Sequence, residues 1–131
     1  MIVNVVFYDN PTITIPNACC KCSQLFPSEL IEVRVADFMP PLGIHQGEWI
    51  FRFPYCSTCA RELKRGGSFF KGRLEAVSIH RNWVRTKKIG SFLRKKKIKY
   101  IPFKFTNERY GQLFKEANNE MLLEKVLAEL V

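Results

Sequence analysis

Two cysteine pairs constrain this chain more than any other feature of its sequence. Cys19 and Cys22 form one C-x-x-C pair, and Cys56 and Cys59 form a second. A two-residue spacer lets a tight turn aim both sulfurs at one point, which makes half of a tetrahedral zinc site with Zn–S distances of about 2.3 Å. The two pairs together predict one structural Zn²⁺ held by all four cysteines.

The fifth cysteine, Cys20, is predicted to stay outside the metal site. Only one residue separates it from Cys22, a spacing poorly suited to sharing a metal. On an extended turn its side chain points away from those of its neighbours. We therefore expect Cys20 to be a small buried apolar residue.

The segment between the pairs explains how they meet. It is 33 residues long, which exceeds the typical spacing of a zinc ribbon. Two apolar runs, "ELIEVRVADF" and "EWIFRF", flank a break at "MPPLG" and predict an antiparallel hairpin whose ends lie together. The run "STCARELKR" then predicts a helix, and the partial positive charge at its start stabilises the thiolates of the second pair.

A cysteine turn, a hairpin and a second pair entering a helix follow one another in the order of the treble-clef zinc fingers. Residues 18–65 resemble that family, and the resemblance places Cys19, Cys22, Cys56 and Cys59 at its four ligand positions. Ser23 stands where many such turns have glycine. Four cysteine ligands leave no open coordination position, so we expect the metal to be structural rather than catalytic.

The end of the chain carries a second, looser resemblance. "FKFTNERYGQLFKEAN" is similar to the end of some uncharacterised bacterial zinc-ribbon-like proteins, in which a strand runs into a helix through asparagine. That resemblance implies no activity. The matching positions are Phe103, Phe105, Asn107, Tyr110, Phe114 and Asn118.

The other segments complete a predicted α+β fold. "IVNVVFY" and "TITIP" are expected to pair as a hairpin. "RLEAVSIH" and "IKYIPFKF" are further strands, and Pro102 favours an edge position or a bulge for the second. "KKIGSFLRKKK" is expected to be a loop or a short basic helix. A C-terminal helix begins at Thr106 or Asn107 and is interrupted at Asn118-Asn119, after which "EMLLEKVLAEL" forms a second helical stretch.

These elements predict one domain, residues 1–131. A treble-clef-like zinc core (18–65) is followed by a basic segment (66–100) and by a strand with C-terminal helices (101–131). The N-terminal "IVNVVFYDN" lacks a basic leader and a cleavage site, and no apolar run approaches the roughly 20 residues that span a bilayer. We therefore expect a soluble cytoplasmic protein without a membrane span, whose thiols stay reduced and favour metal over disulfides.

Charge is concentrated in one part of the chain. The formal net charge is +9, while residues 61–99 alone carry fourteen Lys and Arg against two Glu, a local balance of +12. A concentrated basic block predicts a polyanionic partner more often than an evenly basic surface does. Nucleic acid, an anionic membrane face and an acidic protein surface all meet that requirement.

Residues 81–99 interleave aromatic with basic side chains, a pattern that suits phosphate contact combined with base stacking. We therefore predict a non-catalytic zinc-binding accessory protein that contacts RNA or DNA through this segment. The predicted contact residues are Arg81, Trp83, Arg85, Lys87, Lys88, Arg94, Lys95, Lys96, Lys97 and Lys99.

An adaptor that docks on a larger protein is the alternative function. Its docking surface would be the zinc core together with the C-terminal helices, whose apolar residues cover more than one narrow face. Such a face docks on a partner or packs on the chain's own core. The apolar residues concerned are Met121, Leu122, Leu123, Val126, Leu127 and Leu130.

Enzyme functions are disfavoured. "CSTC" at the start of a helix resembles a thioredoxin-type redox motif, but such a motif needs no second C-x-x-C pair. "HQGE" with "PYCSTC" echoes a zinc deaminase, yet its spacings differ and it leaves Cys19 and Cys22 unused. The sequence shows no Gly-rich phosphate loop, Ser-His-Asp set or carboxylate pair, so we expect no catalytic activity.

Overall fold

The computed structural model describes residues 1–7, 13–39, 44–65, 75–80, 84–89 and 96–130. These residues form an α+β fold, as predicted, with two antiparallel sheets and helices at the C-terminal end. The elements are β1 (Ile2–Phe7), β2 (Glu29–Met39), β3 (Ile44–Tyr55), α1 (Ser57–Arg65), β4 (Val77–Ile79), β5 (Arg85–Ile89), β6 (Lys96–Phe105), α2 (Glu108–Ala117), a 3-10 turn (Asn119–Met121) and α3 (Leu123–Leu130).

Strands β2 and β3 form the antiparallel hairpin predicted between the cysteine pairs. Alternation orients it: Ile31, Val33 and Val35 pack toward the core, whereas the residues between them are exposed. Because Glu29 pairs with Tyr55, the hairpin returns the chain to the point where it began. This return brings the second cysteine pair back to the first.

The second sheet is built around β6. Strand β1 pairs along one edge of β6, and β4 and β5 pair along the other. The predicted hairpin between β1 and residues 12–16 is therefore wrong, since β1 pairs antiparallel with β6 and residues 13–16 form no strand. Val3 and Val5 lie opposite Phe103 and Ile101, and all four side chains are buried in one apolar layer. That layer favours the distant partner over the adjacent segment.

Pro102 lies in the central strand of this sheet, so the edge position predicted for it is wrong. Phe105 exchanges both backbone hydrogen bonds with Met1. The backbone N–H and C=O groups of alternate β6 residues, counted from Phe105, therefore point toward β1. The backbone nitrogen of Pro102 points toward the opposite edge of β6. At that edge β4 has already ended at Ile79 and β5 begins only at Arg85 in the register. The missing N–H of Pro102 thus falls between the two pairings and interrupts neither.

Much of the predicted basic segment, residues 66–100, falls in parts of the chain that the structure does not describe. The loop or short helix predicted for "KKIGSFLRKKK" is wrong at both ends, because residues 87–89 lie in β5 and residues 96–97 lie in β6. Residues 90–95 fall outside the described residues. Backbone pairing between β5 and β6 supplies the hydrogen bonds that override the low strand propensity of lysine.

The C-terminal helices follow the predicted plan. Helix α2 begins after Asn107, whose side chain accepts a hydrogen bond from the first helical turn, and it ends at Ala117, with Asn118 as its C-cap. Helix α3 then lies against β1, where Leu123 is buried together with Val6 and Ile98. The apolar face of this last helix therefore packs on the chain's own sheet.

One aromatic core joins the hairpin, the sheet and α2. Phe53 meets Phe103 edge to face with ring centroids 5.8 Å apart, and Phe114 lies 5.1 Å from Phe103 and 4.9 Å from Phe105. Removing one such buried phenyl group costs about 3–5 kcal/mol of stability. Three of the four predicted zinc ligands belong to the same cluster of buried residues, so the cysteines and the sheet share one core.

Candidate metal centre

The four predicted ligands come together at one point. The Sγ atoms of Cys19, Cys22, Cys56 and Cys59 all lie within 4.8 Å of one another, and only Cys22 of the four is exposed. The Cys22 and Cys56 Sγ atoms are 3.7 Å apart. A tetrahedral site with Zn–S bonds of about 2.3 Å has an S···S edge of about 3.8 Å, whereas a disulfide needs about 2.05 Å. The cluster can therefore hold one metal ion.

A tight backbone turn presents the first pair. The N–H of Cys19 donates to the carbonyl of Gln24 at 2.9 Å, and the N–H of Ser23 donates to the carbonyl of Cys19 at 2.8 Å. Ala18 and Leu25 close the turn as an isolated β-bridge. These bonds curl residues 19–24 so that both sulfurs of the pair face the same point.

The second pair is delivered by the end of the hairpin and the start of α1. The N–H of Cys20 donates to the carbonyl of Pro54 at 2.9 Å, which fastens the first turn to the end of β3. Cys56 directly precedes α1, and its carbonyl accepts the N–H of Ala60 at 3.0 Å. Cys59 lies in the first turn of the same helix. The hairpin and the helix thus fix the second pair against the first.

Neighbouring groups set the charge of the cluster. Burial acts to raise the pKa of Cys19, but backbone N–H groups of Cys56, Cys22 and Lys21 directed at its sulfur lower that pKa to about 7. Burial raises the pKa of Cys59, and the neighbouring cysteines raise it further. Burial likewise leads the rise in the pKa of Cys22. A bound cation that shares their charge would favour several thiolates at this place.

Cys20 stays out of this cluster, as predicted. It is fully buried, and loss of hydration raises the pKa of its thiol to about 12. It lies beside the Tyr55 hydroxyl, which accepts the N–H of Ala76 at 3.1 Å. Cys20 is thus a neutral residue of the turn formed by residues 19–24, which we call the metal turn, and it packs toward Tyr55.

Ser23 adopts a backbone conformation that glycine prefers. Its φ is 65°, in the left-handed region where a Cβ atom is crowded by the following carbonyl. Its Oγ atom is buried and has no hydrogen-bond partner among the described residues. The sequence signal for this strain was the serine that stands where many zinc knuckles have glycine.

The C-terminal part of the chain holds the metal turn from behind. The Asn107 side chain caps α2 and also donates to the carbonyl of Lys21 at 2.8 Å. The hydroxyl of Tyr110, which is fully buried, donates to the carbonyl of Pro16 at 2.9 Å. Asn107 and Tyr110, at the start of α2, therefore hold the turn itself and the segment that leads into it.

Asn118 has a larger role than the sequence indicated. Its side chain accepts the N–H of Thr14 at 2.7 Å and donates to the Thr14 carbonyl at 2.8 Å. It also donates to the carbonyl of Phe114 at 2.8 Å, and it is 4% exposed. The amide thus pairs with Thr14 as a neighbouring strand would. The helix-breaking asparagine was visible in the sequence, but its partner 104 residues away was not.

The predicted nucleic-acid contacts are distributed over the sheet rather than over one loop. Arg85 and Lys87 lie in β5, where alternation puts them on the same face, and Lys87 is exposed. Lys99 lies in β6 on the face that carries the core residues Ile101 and Phe103. Lys88 lies in β5 and Lys96 and Lys97 in β6. Arg81, Trp83, Arg94 and Lys95 fall outside the described residues.

Large apolar side chains are exposed next to the metal turn. Leu25 is 67% exposed, Phe26 is 90% exposed and Leu30 is 63% exposed. Phe26 also has a positive φ of 60°, which turns the chain between the metal turn and β2. Sequence reasoning did not single out these residues, because apolar side chains in a small domain are expected to be buried.

Comparisons with known proteins neither extend nor restrict this picture. Neither a protein-family model, nor a curated protein, nor a solved structure matches the chain. Among the described residues, no helix combines the length and the apolar character needed to cross a membrane.

Proposed function

We propose that the cysteine cluster is a structural Zn²⁺ site in a non-catalytic accessory protein that contacts nucleic acid through residues 81–99. The proximity of the four sulfurs carries the first part of this proposal. Thiolate sulfur is a soft ligand that selects zinc over magnesium or calcium. Four such ligands fill a tetrahedral shell, which leaves no position for a substrate or a water.

Zinc at this site would stabilise the fold rather than react. Cys19, Cys22, Cys56 and Cys59 would hold it, and together they would cross-link the metal turn to the start of α1. Structural zinc contributes an apparent binding free energy of about 10–16 kcal/mol, which matches or exceeds the stability of a typical domain. Elemental analysis of the purified protein should find one zinc per chain, and a protein that folds without metal would contradict this assignment.

The nucleic-acid part of the proposal is supported by charge. Residues 61–99 carry a net charge of +12. The described part of this segment includes three basic residues of β5, which are Arg85, Lys87 and Lys88. Phosphate neutralisation by lysine and arginine releases counterions, so log K should fall with log salt at about 0.7 to 0.9 per contact. Basic residues on a paired strand hold their spacing, which favours repeated phosphate contacts.

The test compares two charge-matched triple variants. Changing Lys95, Lys96 and Lys97 to alanine should flatten the salt slope by about two to three. Changing three exposed basic residues of α1 removes the same charge elsewhere and should leave most of the slope intact; the residues are Arg61, Lys64 and Arg65. Equal slopes for wild type and the first variant would contradict the nucleic-acid proposal.

An adaptor is the second candidate, and the exposed apolar residues beside the metal turn favour it. The C-terminal helices contribute little to such a surface, because Leu122 and Leu123 are buried against the chain's own sheet. Docking would therefore use Leu25 and Phe26. Affinity purification after nuclease treatment should retain a protein partner that the Leu25→Ser/Phe26→Ser variant loses. Retention of the same partner by that variant would exclude this surface.

A further inference from the structure

The face of the β6 sheet that points away from the aromatic core carries a groove, and we call this face the outer face. Helix α3 covers one end of it, where Val6, Ile98 and Leu123 are buried. Beyond the helix the described residues form a groove of about 250 Å³. The lining residues are Ile2, Asn4, His80, Arg85, Tyr100 and Pro102.

Strand register determines which side chains meet in the groove. Tyr100, Pro102 and Lys104 alternate along β6 on the outer face, and Arg85 lies directly opposite Tyr100. Pro102 is buried and forms the floor, Tyr100 is half-buried, and Lys104 is exposed. The aromatic ring therefore lies between an arginine on the neighbouring strand and a lysine about 13 Å along its own strand.

Lys87 extends this basic line. It lies two residues from Arg85 on β5, on the same face, and it is exposed. Arg85 lines the groove, and Lys87 and Lys104 lie further along the same face in opposite directions. Among the described residues that line the groove, none is acidic. A polyanion with flat apolar groups is complementary to this combination in both charge and shape.

We propose that this groove binds single-stranded nucleic acid, with Tyr100 stacking on a base and Arg85, Lys87 and Lys104 contacting phosphates. The inference rests on the proposed nucleic-acid function and specifies its site and its substrate class. Bases of a single strand are free to stack on an aromatic side chain, whereas those of a duplex are already stacked on each other. His80 and Asn4 add polar edges that can contact an unpaired base.

The test measures binding of fluorescently labelled oligo(dT), oligo(U) and a DNA duplex of equal length to the zinc-loaded chain. Both single strands should bind at least about tenfold more tightly than the duplex, since stacking contributes about 1–3 kcal/mol per base. Lys87→Ala/Lys104→Ala should lower the salt slope by about 1.4, which is two single-strand contacts. The matched control is Arg61→Ala/Arg65→Ala, which removes equal charge from α1, beside the hairpin, and should change the slope little.

Tyr100 is tested by a pair of variants. Tyr100→Leu keeps the apolar packing against α3 but removes the ring, and it should weaken single-strand binding about tenfold. Tyr100→Phe keeps the ring and should bind as wild type does. If Tyr100→Leu loses its zinc or its fold, the lysine pair decides the question by itself.

The outcomes separate this inference from the function on which it rests. In one outcome, the duplex binds as tightly as the single strands while the Lys95, Lys96 and Lys97 changes still weaken binding. That result would keep the proposed function but reject the groove as a single-strand site. Equal weakening by the α1 control would also overturn the groove. Wild-type protein that binds no nucleic acid would overturn both. A protein partner that depends on Lys87 and Lys104 in its place would assign the outer face to protein docking.

Discussion

Replacing Ser23 by glycine should stabilise the zinc-bound fold. The backbone at this position has φ of 65°, which costs a residue with a Cβ atom about 1–2 kcal/mol relative to glycine. The buried Oγ atom has no partner among the described residues, and an unpaired buried polar group costs about 1–3 kcal/mol. Glycine loses about 0.5–1 kcal/mol more conformational entropy on folding. The net gain should be about 1–4.5 kcal/mol.

Alanine at the same position separates the two causes. Ser23→Ala removes the hydroxyl group but keeps the Cβ atom, so it should recover only the polar part of the gain and fall between wild type and Ser23→Gly. Urea denaturation in excess Zn²⁺ gives the free energies of unfolding, and the rate of zinc transfer to a coloured chelator follows the site itself. If the glycine variant keeps its zinc but is no more stable than wild type, the reasoning about strain is refuted.

Three further predictions concern the cluster and its support. Cys56→Ser should lose zinc and unfold the core, whereas Cys20→Ala should keep one zinc per chain by elemental analysis; loss of zinc from the second variant would contradict the ligand assignment. Asn118→Ala leaves the backbone of Thr14 without its partners and should cost about 2–4 kcal/mol in urea denaturation, while Asn119→Ala, which is exposed, should cost little. Zinc uptake at pH 7 should release about two or more protons, because the cluster includes thiols whose pKa is raised by burial; calorimetry in buffers of different ionisation enthalpy counts these protons, and uptake without release would contradict the raised pKa values.

The parts of the fold that the sequence predicted correctly depend on local patterns. Alternating residues in "ELIEVRVADF", the cysteine spacings and the cap at Asn107 each act within a few residues, so their outcome can be inferred from the nearby sequence. The hairpin, the meeting of the four cysteines and the starts of α1 and α2 all follow from such patterns. Their agreement at one place makes the candidate site the best-predicted part of the molecule.

The errors arose where pairing is decided at long range. The partner of β1 is set by the buried layer that Val3 and Val5 share with β6, and no local pattern indicates that layer. Proline removes a backbone donor, so the sequence alone predicts an edge position or a bulge for Pro102. The N–H that Pro102 lacks breaks no strand pairing, because the pairing of β6 with β4 ends on one side of Pro102 and the pairing with β5 begins on the other. Such an arrangement depends on three strands together, which the sequence of one strand does not reveal.

The basic segment was predicted as one block, but strand alternation divides it. Arg85 and Lys87 occupy the outer face, whereas Lys99 lies on the face of the core. Tyr100, Lys104 and His80 lie outside the densest run of charge or lack charge, so the charge pattern of the sequence does not indicate them. Charge counted along the chain predicts a kind of partner, while the strand register determines which basic residues share one surface.

The pairing of β1 with β6 has a consequence for the order in which the protein can fold during its synthesis. The backbone of Met1 forms hydrogen bonds with Phe105, 104 residues away. The side chain of Asn118 accepts a hydrogen bond from the Thr14 backbone across the same separation. At a ribosomal rate of about 5–20 residues per second, β1 waits roughly 5–20 s for its partner. The cysteine turn, the hairpin and α1 emerge well before β6, so the four cysteines can come together and take up a metal ion before the central strand closes the sheet.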